Sequence, residues 1–276
     1  MKIKQLLRSR AGMLGLLAVL VVIVAIVWGS LQFAGKNRLI TAVEIRIQPD
    51  TGVYFINAAD VSDLLSKTVG NPTGKAASAL NLTRAETKIK SLPFVQSAQV
   101  YAGLDGKLIV KVNQRIPVVR ITNAAGETWF ADTSGIKIPL RGHYAPNVLI
   151  ANGNIQEKLS DSTRIYSPVC KDILALSRFI ASDVFWNAQF EQCYVDNFND
   201  LILVPRVGKH SIVIGNAENL PEKFANLRVF YEKGLKTMGW DKYRSISLKY
   251  RGQVVGIKSV SQTEQKKPNN VQKPQH

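Results

Sequence analysis

The chain has 276 residues, 46% of them hydrophobic and 20% charged, with 36 Lys and Arg against 20 Asp and Glu for a formal net charge of +16. This is the composition of a folded protein with room for one large or two modest domains. With two cysteines in so long a chain, a fold that depends on disulfide stapling is excluded, although Cys170 and Cys193 could form one bridge outside the cytosol.

From Ala11 to Phe33 no residue is charged, and the centre runs Leu16-Leu17-Ala18-Val19-Leu20-Val21-Val22-Ile23-Val24-Ala25-Ile26-Val27. As a helix these residues would span about 34 Å, enough for a bilayer core of about 30 Å. Trp28 suits an interfacial aromatic. A cleaved signal would have a shorter apolar run and a small-x-small site, and Gln32-Phe33-Ala34 offers none. Lys2, Lys4, Arg8 and Arg10 precede the run, whereas Lys36 and Arg38 alone follow closely. The positive-inside bias therefore predicts residues 1–10 as a cytoplasmic tail, 11–35 as a transmembrane anchor, and everything beyond as extracytoplasmic. For an exported domain the basic excess points to anionic headgroups or acidic partners rather than nucleic acid, or simply to solvated faces, since no block of five like charges occurs.

Beyond the anchor, Val43, Ile45 and Ile47 alternate with polar residues as a half-buried strand does. Asn57 is placed to cap a helix through Leu65, and Gly70-Asn71-Pro72-Thr73-Gly74 breaks it. Thr83 and Glu86 form a capping-box pattern for a second helix that ends before Pro93. Strands are predicted over 95–101 and 107–113 about the turn Asp105-Gly106. Residues 36–114 thus read as a small strand–helix–helix–strand–strand domain.

Residues 115–260 read as a second, β-rich domain with flanking helices. Strands are expected over 118–122 and 127–131, 189–195 and 201–204, 211–214, 245–250 and 254–260. Ser167 caps a helix with Pro168 at its first position, and Val169, Ile173, Leu176 and Ile180 form its buried stripe. A last helix opens near Asn219-Leu220-Pro221 and carries Phe224, Leu227, Tyr231 and Leu235 on its inner side. Residues 261–276, rich in Gln, Lys, Asn and Pro, are expected to be a disordered tail.

Chemistry-bearing patterns are sparse. His143, His210 and His276 are isolated, and no zinc spacing, nucleophile elbow, P-loop or dinucleotide motif occurs. Asp132 and Asp161 are candidate loop acids, read as solvated carboxylates. No catalytic residue, cofactor or metal ligand is assigned. The terminal strand is more informative, because an edge strand presents unpaired N–H and C=O groups to which a partner strand can add. Tyr243, Ile246, Ser247, Leu248, Lys249, Tyr250 and Arg251 are the candidate partner-binding residues, with Tyr250 as the aromatic anchor unless it faces the core.

The run Asn81-Leu82-Thr83-x-x-Glu86, Leu92-Pro93-Phe94-Val95-x-x-Ala98-x-Val100, Leu108-x-Val110-x-Val112-x-Gln114-Arg115-x-Pro117 resembles the POTRA module of the FtsQ/DivIB bacterial cell-division proteins. The ending Trp240-Asp241-x-Tyr243-x-x-Ile246-x-Leu248-Lys249-Tyr250 resembles the closing segment of the same family. The resemblance implies an α+β protein: a transmembrane helix, a POTRA-like β-α-α-β-β domain, then a larger antiparallel-sheet domain with flanking helices. It implies a non-enzymatic divisome scaffold in septum formation, without cofactors, set in the inner membrane with its bulk in the periplasm or extracytoplasmic space at the division site. Its partners would be FtsB-like and FtsL-like small bitopic proteins, bound chiefly at the C-terminal β-domain edge. Here the ending reads Ser247-Leu248-Lys249-Tyr250, without the family's acid and with Lys for Arg, so recognition is expected to differ in detail. The competing function is an anchored POTRA-type chaperone for exported or outer-membrane polypeptides; such proteins usually repeat the module, and one copy is present.

Overall fold

The computed structural model describes residues 10–36, 39–49, 55–141, 146–235 and 239–259. The expectations for residues 1–9 and for the tail beyond 260 lie outside the described residues, as do His143 and His276. The chain forms two compact units, Met1–Arg115 and Ile116–His276.

The first unit begins with helix α1, Arg10–Lys36, of 27 residues. Its described side chains, at 14 and 17–29, are exposed, Leu20 at 60% and Trp28 at 69%. The continuous part of that stretch is about 20 Å of helix, and among the described residues no helix is long and apolar enough to cross a membrane. Strand β1 (Ala42–Gln48), helices α2 (Ala58–Val69) and α3 (Leu82–Lys90), and strands β2 (Val95–Ala102) and β3 (Lys107–Gln114) follow. The order is the strand–helix–helix–strand–strand succession expected from sequence. The sheet runs β1-β3-β2, with β1 parallel and β2 antiparallel to β3. Val61, Leu65, Ala85 and Ile89 from the helices join Ala98, Val100, Leu108, Val110 and Val112 from the sheet in one buried cluster.

Capping explains where these helices start. Asn57 accepts from the Asp60 N–H at 2.8 Å while the Asp60 carboxylate accepts from the Asn57 N–H, a reciprocal box that satisfies two otherwise unpaired donors. The second start differs from expectation. The cap is Asn81, whose side chain accepts from the Arg84 N–H at 2.9 Å, so Thr83 lies inside the helix and closes no box with Glu86. Glu86 instead pairs with Lys90 one turn on and accepts from the Val100 N–H, tying α3 to β2. The β2–β3 turn closes through Gly106 at φ +81°, a left-handed conformation that side chains disfavour.

The second unit is a nine-stranded sheet in the order β12-β11-β10-β9-β8-β7-β4-β5-β6. Its strands are β4 (Pro117–Thr122), β5 (Thr128–Asp132), β6 (Lys137–Pro139), β7 (Leu149–Gly153), β8 (Phe190–Val195), β9 (Leu201–Pro205), β10 (Ser211–Gly215), β11 (Tyr243–Ser247) and β12 (Val255–Lys258). The expectation of an antiparallel sheet is corrected: β4–β7, β7–β8 and β10–β11 are parallel. Parallel neighbours need a crossover, and helices supply two of them. Helices α4 (Pro168–Ala181) and α5 (Val184–Gln189) connect β7 to β8, and α6 (Leu220–Val229), extended by a π-helical turn at Phe230–Leu235, connects β10 to β11.

Alternate residues of the central strands, including Val119, Ile121, Leu149, Ala151, Cys193, Leu203, Ile212 and Ile246, form one core with Ile173, Leu176 and Ile180 of α4 and Phe224 and Leu227 of α6. Ser167 caps α4 as expected, accepting from the Cys170 N–H. Ile173, Leu176 and Ile180 are buried, while Val169 is partly buried at the start of the stripe. The Leu235 side chain lies outside the described ones. Helix α5 was not foreseen; Asp183 accepts from the Phe185 and Trp186 N–H groups to start it, and the Trp186 ring packs 5.0 Å from Phe224 and 5.8 Å from Phe190. Cys170 and Cys193 are buried and unbridged, and burial pushes both thiols up to about 12.

One buried ion pair crosses this unit. Lys137 Nζ lies 3.0 Å from Glu157 Oε1, with both side chains fully buried, and also donates to the Lys158 carbonyl. The Ser167 N–H donates to Glu157 Oε2 at 2.9 Å, and the Tyr166 N–H donates to the same carboxylate. Burial alone would raise the Glu157 carboxyl, but the hydrogen bonds from Ser167 and Lys137 outweigh it and hold the group below its ordinary value.

Candidate partner-binding edge

The residues singled out from sequence lie at the β11–β12 hairpin, and the structure separates them into two groups. Ile246 and Leu248 are buried at 0% and 1% exposure, so their side chains belong to the core and are not available to a partner. Tyr243 is also buried, its ring lying against the backbone of Gly256, where an added Cβ would come within 2.5 Å of it. Tyr250 is different. The strand ends at Ser247, one further bond from the Leu248 N–H to the Val213 carbonyl (2.8 Å) continues the pairing, and the chain then turns, with the Gln253 N–H donating to the Tyr250 carbonyl. Tyr250 therefore leaves the alternation that would have buried it and stands 60% exposed.

Its neighbours are fixed by charge. Lys249 Nζ donates to Asp200 Oδ2 at 2.7 Å, joining this turn to the β8–β9 turn, and the Asp200 carboxylate raises the Lys249 ammonium above its ordinary value. Arg251 reaches toward Glu222 at 3.9 Å. A shallow recess of about 310 Å³ lies beside Tyr250, lined by Asn216, Asn219, Lys249 and Gln253 among others. Lys223 on α6 forms part of its wall; its buried ammonium donates to the Ile214 and Asn216 carbonyls, both at 2.9 Å, and burial lowers its pKa. These bonds hold the start of α6 against the end of β10, so the recess has a firm base.

The position of the edge is corrected. Strand β11 is hydrogen-bonded on both sides, parallel to β10 through Ser211↔Ser245 and antiparallel to β12 through Ser247↔Val255 and Ser245↔Ile257. A strand paired twice has no free N–H and C=O row to offer. At this end of the sheet the outer strand is β12, and among the described residues no strand pairs with its other side. Val255 and Ile257 point away from the core and are 42% and 45% exposed. The strand expected over 254–260, and not the one over 245–250, is therefore the edge, and its place as the last strand before a polar tail is the signal for it in the sequence.

Other candidate groups are structural. Asp132 is buried, and its carboxylate accepts from the Ser134 and Ile136 N–H groups in the β5–β6 turn. Asp161 accepts from the Lys158 N–H and the Tyr166 hydroxyl. His210 is buried 3.4 Å from the Tyr231 hydroxyl and stacked on Trp240, and burial lowers its pKa.

Residues 38–113 match the model of a POTRA-like domain. Residues 116–257 match the family model described as FtsQ/DivIB, C-terminal related. No curated protein matches the chain. That second match takes in 142 of the 276 residues, including the whole sheet from β4 to Ile257 and the exposed edge itself, and the chain belongs to the FtsQ/DivIB family.

Proposed function

We propose that this chain is a non-enzymatic scaffold of the bacterial division site, whose extracytoplasmic part captures extended segments of FtsB-like and FtsL-like bitopic proteins on the free edge of β12. The exposed edge carries the reading: an outer strand with two apolar side chains, 255 and 257, and an exposed Tyr250 at its approach. Backbone groups along such a strand supply affinity, and the flanking side chains supply selectivity. Lys249, Tyr250 and Arg251 would form the rim, with Ser247 on the open face beside Val255. Tyr243, Ile246 and Leu248 would serve by holding β11 in place rather than by contact.

The remaining assignments belong to the same proposal. Residues 11–35 would anchor the chain in the cytoplasmic membrane, with 1–10 inside, the POTRA-like domain over 36–114 and the β-domain over 115–260 outside. The uncharged run from Ala11 to Phe33 and the cations before it support this arrangement. Protease added outside the inner membrane should digest nearly the whole chain; cleavage confined to the first residues would reverse the orientation.

The deciding experiment is crosslinking in cells followed by identification of the captured proteins, with a fluorescent fusion scored for midcell position. Division proteins and a midcell band are expected. Capture of nascent outer-membrane or secreted polypeptides, with a uniform envelope signal, would support an anchored chaperone instead.

A further inference from the structure

The two ends of the β12 edge differ in charge. Strands β10 and β11 run parallel and β11 and β12 antiparallel, so the first residues of β10 and β11 lie at the same end as the last residue of β12. Lys209 stands two residues before β10, Lys242 immediately precedes β11, Arg244 is the second residue of β11, and Lys258 closes β12 opposite Tyr243. All four are exposed, and among the described residues none has an ion-pair partner; Asp241 is the acid beside them. Neighbouring strands are about 4.8 Å apart, so Arg244 and Lys258 stem from backbone positions within about one Debye length, roughly 8 Å, at physiological salt and act together. At the other end the cations are already engaged. Lys249 is paired with Asp200, and Arg251 faces Glu222, with Asp196 and Glu218 in addition.

Resting on the reading of β12 as the partner edge, we propose that this edge selects its partner by charge polarity. The segment that pairs with β12 carries acidic residues at the end where Lys258 and Arg244 stand unpaired, and not at the Tyr250 end, where Lys249 and Arg251 already face carboxylates. Opposite charges on neighbouring strands stabilise pairing and like charges oppose it. A segment in the wrong direction carries its acids to the Tyr250 end, where the cations already have carboxylate partners, and leaves Lys258 and Arg244 uncompensated. The unpaired cations also draw an acidic segment toward the edge before contact. An antiparallel partner strand would place its acids at its N-terminal end, and a parallel one at its C-terminal end.

The test uses the full chain in detergent micelles and, as probe, the purified FtsB-like protein of the same organism. Lys258→Glu combined with Arg244→Glu should weaken binding about tenfold or more at about 0.05 M salt, and the loss should shrink at about 0.5 M, where screening is strong. Lys258→Gln, a milder change at an exposed site, should cost about threefold. Bound probe should protect Lys258 and Lys242 from an amine-reactive label. Ile257→Pro, which breaks the ladder that holds β12 to β11 and so displaces the edge strand, should abolish binding at either salt concentration. If Ile257→Pro abolishes binding but both charge variants bind as the wild type does, polarity selection is wrong and the edge reading stands. If the probe fails to bind, or binds Ile257→Pro normally, the edge reading falls and this proposal with it. If phosphatidylglycerol in the micelle protects the two lysines and the probe does not, the cations form a headgroup surface and the proposal is overturned.

Discussion

Replacing Glu157 by Gln isolates the charge in the buried pair while keeping its shape. Gln retains a carbonyl oxygen that can accept from the Ser167 and Tyr166 N–H groups, but it leaves the Lys137 ammonium, fully buried, with the Lys158 carbonyl in place of a 3.0 Å counter-ion. Removing one partner of a buried pair costs about 3–5 kcal/mol, because the other charge stays desolvated and uncompensated. The rings of Trp129 and Tyr166, 5.6 and 5.5 Å from Lys137 Nζ, offset part of that cost, so the lower end of the range, about 3 kcal/mol, is expected. For a unit of this size that corresponds to about 6–12 °C in thermal midpoint. Tryptophan fluorescence is a suitable assay, since Trp129, Trp186 and Trp240 all lie in the second unit and Trp129 borders the pair. The pH dependence has a definite sign. The folded carboxyl of Glu157 is held below the ordinary value of 4.5, so its contribution is complete above that value and is lost as pH falls through the depressed folded value. The difference between wild type and Glu157→Gln should therefore be full near pH 7 and shrink in acid. Lys137→Met combined with Glu157→Gln should be more stable than the sum of the single losses allows. A Glu157→Gln midpoint within 2 °C of wild type at pH 7 would refute the reasoning, because the pair would then contribute nothing beyond its shape.

Tyr250→Ala should weaken partner binding about thirtyfold, the effect of losing about 2 kcal/mol at an aromatic anchor, while leaving the thermal midpoint unchanged because the ring is 60% exposed; a large drop in the midpoint would place the ring in the fold instead. Gly256→Val should lower both binding and stability, the latter by about 1–3 kcal/mol, because the new Cβ would meet the Tyr243 ring at 2.5 Å and push β12 from β11; unchanged denaturant midpoints would contradict that packing. Alkylation without reductant should leave Cys170 and Cys193 unmodified in the native protein and label both after unfolding, as burial and thiols raised to about 12 require. Absence of label in the unfolded, unreduced protein would indicate a bridge.

Local chemistry was read most securely from the chain where the decisive contact lies within four residues. The Asn57 cap, the Ser167-Pro168 helix start and the Asp105-Gly106 turn are of this kind, each completed by groups near in sequence. The exception is instructive: Thr83 and Glu86 have capping-box spacing, yet Asn81 two residues earlier takes the cap, and Glu86 is drawn to Lys90 and to the Val100 N–H of β2. Competing donors, the Lys90 ammonium and the Val100 N–H, decided between the two starts. Helix α5 and strand β6 are not legible in the chain because six and three residues are too few for a periodic pattern to stand out.

What the sequence determined by itself is the apolar run of 11–33, the succession of elements in the POTRA-like unit, the buried stripe of α4 and the family to which the closing motif belongs. These rest on periodicity, short-range hydrogen bonding and residue order, all of which are properties of the chain. Only the tertiary structure decided which strand is outermost and where Tyr250 points. In one dimension Ile246, Leu248 and Tyr250 form an unbroken alternation; in three, the chain turns after Leu248, so the first two are core and the third is exposed. Strand order has the same character: β11 lies between β10, 28 residues before it, and β12, eight residues after its last residue, and nothing local states that both its rows of hydrogen-bonding groups are taken. An edge is defined by the neighbour that is missing, and neighbours in a sheet are chosen by packing over long sequence distances.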